Sequence, residues 1–188
     1  MSFLDAIPMP EDRRDGALVL PWPARNMPAA FLSFSTLDEW RAFIKGLDLN
    51  AAVPEIVTLK FRRAQKLYFI GWIDADVIKA GELVALTALE LALKDRYGKR
   101  SFANLLKHMV ARDGLTDQLI PMTRKNGGTV IGQLTGQTRL SIAEIRNSLA
   151  HGDPFDGLPW AGLLELVRDL IEYAYRDLIA HSAAKALR

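Results

Sequence analysis

The chain has 188 residues, of which 49% are hydrophobic and 24% are charged, and its formal net charge is +2. This composition predicts one globular domain with a sizeable core, not a disordered chain or two full domains. The mild positive charge neither indicates nor excludes a nucleic-acid partner, because local clusters matter more than the sum.

Cysteine is absent and histidine is rare, which limits the chemistry that the chain can perform. Without cysteine there are no disulfides, thiolate metal sites or cysteine nucleophiles. The three histidines, His108, His151 and His181, lie far apart and in no metal-ligand spacing, so we expect no metal or other cofactor. The apolar stretches are broken by charges, and the N-terminus lacks a signal-peptide pattern, so we expect a cytoplasmic protein without a membrane span.

Residues 1–34 contain five of the nine prolines. Each proline removes a backbone donor and fixes a backbone dihedral, which excludes long helices. We therefore expect an irregular, proline-rich N-terminal segment that packs across the main domain, with residues 17–20 as a short strand or extended arm. Residues 35–188 are expected to form the main, helical domain.

Capping patterns and apolar periodicity predict helices along residues 35–188. Thr36 and Glu39 have the reciprocal pattern that satisfies free amides at a helix start. The segment from Glu55 to Ile73 is ambiguous between strand and helix, and we favour helix. The next predicted helix, residues 76–97, has a wide apolar arc that is typical of a central helix. The predicted helices cover about residues 36–45, 55–73, 76–97, 102–112, 142–151 and 160–181. Of these six segments, about four to five would form an all-α bundle.

The last segment has an apolar stripe, which includes Leu178, that we expect to be buried. Its charged residues, Glu165 and Asp169 among them, would face mostly elsewhere.

Residues 121–138 contain four glycines and several small polar residues. We interpret this segment as a loop, with a short hairpin inside it as an alternative. Long loops are unusual in compact helical domains and are often functional. The pattern lacks the lysine and hydroxyl residue that end a P-loop, so it indicates flexibility and not phosphate binding.

The most informative segment is the helix that begins after Ser141. Ser141 and Glu144 form a second capping box, and the helix carries Arg146, Asn147 and His151 before a glycine. This arrangement, at a helix end and followed by another long amphipathic helix, resembles the HEPN (higher eukaryotes and prokaryotes nucleotide-binding) superfamily. In this resemblance, residues 57–179 would supply the helical bundle.

The resemblance implies a metal-independent endoribonuclease, in which a ribose 2′-hydroxyl attacks the adjacent phosphate. His151 would exchange protons with the attacking or leaving oxygen, because histidine titrates near neutral pH. Arg146 would stabilise the charge that builds on the phosphate, and Asn147 would orient the ring or a phosphate oxygen. An RNase toxin of this kind would have a protein antitoxin or a companion nucleotidyltransferase as its partner.

Helix geometry adds an argument for a homodimer. Positions five apart on an ideal helix are rotated by about 140°, so Arg146 and His151 would not point the same way. Two copies related by a two-fold axis would bring both arginines and both histidines to one cleft, and the resemblance implies such composite sites. We therefore expect a homodimer with this helix at its interface.

Two alternatives remain open at this point. One is a non-catalytic module of the same fold that binds RNA, nucleotide or a partner protein. The other is a structural role, in which Asn147 and His151 cap the helix end and Arg146 pairs with a nearby acid, namely Glu144, Asp153 or Asp156. Two further basic clusters, residues 60–66 and 94–100, have the composition of phosphate-binding patches, but charge runs of this kind are more often solvated helix faces.

Overall fold

The computed structural model describes residues 3–12, 16–152 and 157–186. This part of the chain is mostly helical, which confirms the all-α class, and it also contains one two-stranded antiparallel sheet. Two 3₁₀ turns lie at Phe3–Ala6 and Asp117–Leu119. The strands are β1 (Leu18–Pro21) and β2 (Phe31–Phe34), and the helices are α1 (Leu37–Lys45), α2 (Glu55–Ile70), α3 (Val77–Tyr97), α4 (Phe102–Ala111), α5 (Pro121–Asn126), α6 (Ile131–Thr135), α7 (Ile142–Ala150), α8 (Leu163–Ala174) and α9 (Arg176–Ala186).

The long helix α3 lies at the centre of the bundle, as its wide apolar arc predicts. It packs against α2, α4, α7 and α8, and small residues on its surface let the neighbours approach closely. A Cβ added at Gly81 would lie 2.7 Å from Cδ2 of the Tyr68 ring on α2. The buried side chains of these helices form one continuous core, so α3 fixes the relative positions of the elements around it.

The N-terminal segment folds back onto the helices as a hairpin. Leu18 pairs with Phe34 in the antiparallel ladder, and the strand falls close to the predicted residues 17–20. Trp22, immediately after β1, is 2% exposed. Its indole Nε1 donates a hydrogen bond of 2.9 Å to Oε2 of Glu165 on α8, which anchors the hairpin to the helical core.

The prediction of a loop over residues 121–138 is wrong, and so is the alternative of a hairpin. This segment contains α5 and α6, which raises the helix count above the predicted four to five. Met122 and Leu134 bury their side chains in the core. The carboxylate of Asp117 accepts hydrogen bonds from the backbone nitrogen of Val130 and from the Thr129 hydroxyl, so contacts outside each short helix hold it in place.

The last predicted helix, residues 160–181, is two helices. It begins only at Leu163, after Gly162 in the left-handed conformation, and regular geometry is interrupted at Tyr175 between α8 and α9. Leu178, which the periodicity places on the buried stripe, is 42% exposed. None of the α9 side chains is buried, so α9 lies at the edge of the bundle.

Two acidic residues of α8 are buried where the periodicity places them toward solvent. Glu165 receives the Trp22 indole, and Asp169 accepts a 2.7 Å hydrogen bond from the backbone nitrogen of Met122. Burial raises the pKa of the Asp169 carboxyl, while the Arg168 guanidinium opposes that shift. These carboxylates therefore connect α8 to the two segments that the sequence leaves irregular.

Among the helices described, none is both long and apolar enough to cross a membrane.

Candidate functional site

Helix α7 carries the three residues of the predicted site, and its local sequence explains its position. The Ser141 hydroxyl accepts from the backbone nitrogen of Glu144 at 3.2 Å, and the Glu144 carboxylate accepts from the backbone nitrogen of Ser141 at 2.8 Å. The predicted capping box is therefore confirmed. Apolar side chains of α7, including Ile145 and Leu149, are buried in the core, and this leaves the opposite side of the helix toward solvent.

Arg146 is held by a carboxylate from the central helix. Its Nη2 lies 2.6 Å from Oε2 of Glu90 on α3, and the other oxygen of Glu90 lies 2.7 Å from Nζ of Lys94. The Arg146 side chain remains 28% exposed, against 11% for Glu90. Glu90 thus bridges two cations at the point where α3 and α7 meet.

The charges of this cluster leave it net positive. Burial opposes ionisation of Glu90, but the hydrogen bonds and charges of Lys94 and Arg146 outweigh it and lower the pKa of this carboxyl. Glu90 is therefore ionised at neutral pH. Two cations face one carboxylate, so the cluster retains one positive charge for an anionic group.

Asn147 contacts Arg146 directly, and this contact fixes the orientation of its amide. Nη1 of Arg146 donates to Oδ1 of Asn147 at 3.0 Å. A guanidinium has only donors, so the amide oxygen must face it. The Nδ2 group of the exposed Asn147 is then left to donate toward solvent or a bound acceptor.

His151 is the C-cap of α7 and is exposed. Its backbone nitrogen donates to the carbonyl oxygens of Asn147 and Ser148 at 2.9 and 3.1 Å. Within the described residues its ring has no hydrogen-bond partner. The helix ends between Arg146 and His151, and the ring stands at the open end of α7.

These contacts differ in detail from the structural alternative, in which the motif residues only cap the helix end and pair with a nearby acid. The helix end is capped by the backbone of His151 and not by its ring, and the Asn147 side chain contacts Arg146 instead of the helix end. The acid that pairs with Arg146 is Glu90 and not Glu144. The alternative partners Asp153 and Asp156 lie outside the described residues.

The structure joins Arg146 to Asn147 and adds two residues that the sequence reasoning did not connect with the motif, Glu90 and Lys94. His151 has no hydrogen bond to the other two side chains. The sequence does indicate that Glu90 has a partner, because Glu90 lies within the apolar arc of α3 and a carboxylate on a buried face requires one. The sequence does not identify that partner, which lies 56 residues away.

The two other basic clusters are poorly suited to stacking on nucleic-acid bases. In the cluster at residues 60–66 the neighbouring rings of Phe61 and Tyr68 are 0% and 1% exposed. In the cluster at residues 94–100, Lys94 belongs to the Glu90 contact described above. The Tyr97 hydroxyl donates to Asp113 at 2.5 Å, and Arg96 donates to a backbone carbonyl of α8. The aromatic residues of both clusters and Arg96 therefore contribute to packing within the chain.

Within residues 3–12, 16–152 and 157–186, no group of three or more histidine, aspartate or glutamate side chains is arranged to hold a metal ion.

Comparison with known proteins gave no family model, no curated protein and no solved structure that matches this chain.

Proposed function

We propose that this protein is a HEPN-like, metal-independent endoribonuclease that acts as a homodimer. The observation that supports this proposal is the arrangement on α7. Arg146 donates to the Asn147 amide and forms an ion pair with Glu90, and the exposed His151 ends the same helix. The cluster has one excess positive charge, which suits a phosphodiester.

The proposed reaction is an intramolecular transfer within the RNA. The ribose 2′-oxygen forms a bond to the adjacent phosphorus, the bond from phosphorus to the 5′-oxygen breaks, and a 2′,3′-cyclic phosphate results. One imidazole accepts the proton from the 2′-hydroxyl, and another imidazolium gives a proton to the leaving 5′-oxygen. Two copies of His151 in a dimer would fill both roles at once.

Arg146 and Asn147 would bind the phosphate in this reaction. A guanidinium has five N–H donors, and the bonds to Glu90 and Asn147 use one each. Three donors are therefore left for phosphate oxygens, and the Asn147 Nδ2 group adds a further donor. Glu90 is a positioning residue, because it restricts the guanidinium to one orientation before the substrate arrives.

A second candidate is a non-catalytic RNA-binding module of the same fold. The ion pair between Arg146 and Glu90 supports it, because the carboxylate offsets the charge that a transition state would need. This candidate predicts binding that depends on Arg146 and Lys94 and weakens with salt, without cleavage.

The test compares the wild-type protein with His151→Ala on total cellular RNA in the presence of a metal chelator. We expect cleavage by the wild type, with cyclic-phosphate ends, and its loss in the variant. His181→Ala is the matched control, because His181 is also exposed and lies on α9. Cleavage that persists in His151→Ala would contradict the assignment, whereas binding without cleavage by either protein would favour the second candidate.

The proposed oligomer and cellular setting can be examined in parallel. Sedimentation of the wild-type protein should give the mass of a dimer, and a mixture of His151→Ala with wild type should lose activity in the mixed dimers. If the protein is an RNase toxin or a defence-associated nuclease of the cytoplasm, it should co-purify with a protein antitoxin or a nucleotidyltransferase when expressed at its native level.

A further inference from the structure

A cavity of about 510 Å³ lies between the N-terminal segment and the bundle. Its walls come from the turn after β1, from α1, from the α5 segment and from α8, and they include Trp22, Phe43, Asn126 and Glu165. None of the lining residues belongs to the Arg146–His151 site. The cavity is therefore a separate feature, and its size is that of a small-molecule site.

Asn126 is the unusual residue of this cavity. It is 1% exposed, and neither Oδ1 nor Nδ2 of its side chain has a hydrogen-bond partner within the described residues. A buried amide without partners is costly and rare, so its two polar atoms call for a partner other than the described residues. The complement of a primary amide is one donor and one acceptor that point the same way, as the amide N–H and a carboxyl oxygen do in an extended N-acylated amino acid.

The other polar groups of the wall are already committed. Glu165 accepts from the Trp22 indole, and Arg168 binds Asp169 at 2.7 Å and the Gly46 carbonyl at 3.2 Å. These contacts fix the wall and do not call for a ligand. Among the buried polar groups of this wall, Asn126 therefore remains to bind a ligand.

The rim of the cavity carries two cations without counter-charges. Arg25 and Lys125 line it, both are exposed, and in the described part of the chain neither forms an ion pair. They favour an anionic ligand. The carboxylate of Glu165 in the same wall disfavours a multiply charged anion, so a single carboxylate suits the site better than a phosphate dianion.

Apolar side chains complete the cavity. Leu32, Phe43 and Leu47 line it together with Pro23 and Pro121, and they offer contacts to an aliphatic or aromatic group. We propose that this cavity binds a small carboxylate whose apolar body carries a secondary amide, the chemistry of an N-acylated amino acid or of a peptide carboxyl terminus. The ligand's amide N–H donates to Oδ1 of Asn126, and one oxygen of its carboxylate accepts from Nδ2. The same carboxylate lies between Arg25 and Lys125.

The site also accounts for the two segments to which the sequence assigns no role. The N-terminal arm and the glycine-rich region meet here, and an added Cβ at Gly128 would lie 3.2 Å from Cβ of Pro28. Met122, at the start of α5, is bound through its backbone to Asp169 of α8. Both walls are thus anchored to α8, so the cavity is preorganised.

Calorimetric titration of the full chain with N-acetyl-L-leucine tests the proposal. We expect saturable binding, and at least about tenfold weaker binding of the neutral N-acetyl-L-leucinamide. An acetylated tripeptide that ends in leucine distinguishes the two sources, because tighter binding of the tripeptide indicates a protein terminus. Adenosine monophosphate is the third arm, and its preferential binding would overturn the carboxylate assignment.

Two sets of variants locate the binding. Asn126→Leu should abolish it while the thermal midpoint of the free protein is unchanged or raised, because a buried amide without partners is removed. If that variant does not fold, Arg25→Glu with Lys125→Glu should weaken binding at least about tenfold. Arg124→Glu is the matched control, since Arg124 is an exposed neighbour on α5 that does not line the cavity.

The result that overturns the proposal is equally definite. No binding of any probe at millimolar concentration, or binding that is unchanged in both sets of variants, excludes this site. His151→Ala should bind the probe as the wild type does, so failure of the ribonuclease proposal and failure of this one are separate observations.

Discussion

Glu82 is a fully buried carboxyl group whose titration should be visible in the stability of the protein. It is 0% exposed, its Oε1 accepts a hydrogen bond from the backbone nitrogen of Trp160, and Nζ of Lys79 lies 3.4 Å from its Oε2. Burial raises the pKa of this carboxyl to about 7, although Lys79 and the Trp160 amide oppose the shift. The ring of Tyr68 is close by, and burial together with Glu82 raises the pKa of its hydroxyl.

The sign follows from the direction of this shift. The ordinary pKa is 4.5 and the folded value is about 7, so between these values the folded protein holds a proton that the unfolded chain releases. The stabilisation by this group is full below the unfolded pKa and is lost as the pH rises through the folded pKa. At about 1.4 kcal/mol for each pH unit in that window, stability should fall by about 2.5 kcal/mol between pH 5 and pH 8.

Urea unfolding of the wild type and of Glu82→Gln at these two pH values measures the contribution of Glu82 to the free energy of unfolding. Glutamine keeps a carbonyl oxygen for the Trp160 amide but does not ionise, so the variant should lose about 2–3 kcal/mol less than the wild type between the two pH values. Glu11→Gln is the control, because Glu11 is exposed, and it should follow the wild type. Equal pH dependence of the wild type and Glu82→Gln would refute the reasoning.

Two further predictions concern local backbone features and can be checked by the same unfolding assay. Ser141→Ala removes the hydroxyl that accepts from the backbone nitrogen of Glu144 and should lower the free energy of unfolding by about 1 kcal/mol. Ser141→Asp should restore most of this lost stability. An alanine variant as stable as the wild type would contradict a stabilising role of this N-cap. Gly162→Ala should cost about 1–3 kcal/mol, because φ is +66° and the new Cβ would lie 2.7 Å from Cδ of Pro23. Gly157 has φ +88°, and among the described residues other than its chain neighbours no atom lies within 4 Å of an added Cβ. Gly157→Ala therefore separates backbone strain from the steric clash, and equal losses would exclude the clash.

Features that depend on neighbouring residues were predictable from the sequence. Both capping boxes, Thr36 with Glu39 and Ser141 with Glu144, are confirmed. They were recognisable because each involves side chains three positions apart that bind each other's backbone. The central helix was equally clear, since its apolar arc over residues 76–97 repeats for several turns.

Features that depend on distant contacts were not predictable. The helices α5 and α6 are short, and glycine and polar residues dominate their sequence, so local propensity favours a loop. They form because Asp117 binds Val130 and Thr129, and because Asp169 binds the backbone of Met122. No pattern within residues 121–138 contains this information.

The burial of two carboxylates on α8 also depends on distant contacts that the sequence pattern does not contain. Periodicity assigns a charged residue to the solvent side, and this rule misplaced Glu165 and Asp169 of α8. Each is buried because a donor from far along the chain satisfies it, the Trp22 indole for Glu165 and the Met122 amide for Asp169. A charge in a helix is therefore only weak evidence for an exposed face when its partner is unknown.

The candidate site combines a feature set by neighbouring residues with one set by a distant contact. The motif is local and readable, whereas the Glu90 contact that orients Arg146 comes from α3 and is not. Within one chain the guanidinium is bound on two sides, and His151 makes no hydrogen bond to it. The neutral imidazole accepts a proton and the imidazolium gives one, so a single ring acts as a base or as an acid at a given moment but not as both. The proposed ribonuclease reaction needs both roles at once, so that proposal requires a second His151 from another copy of the chain.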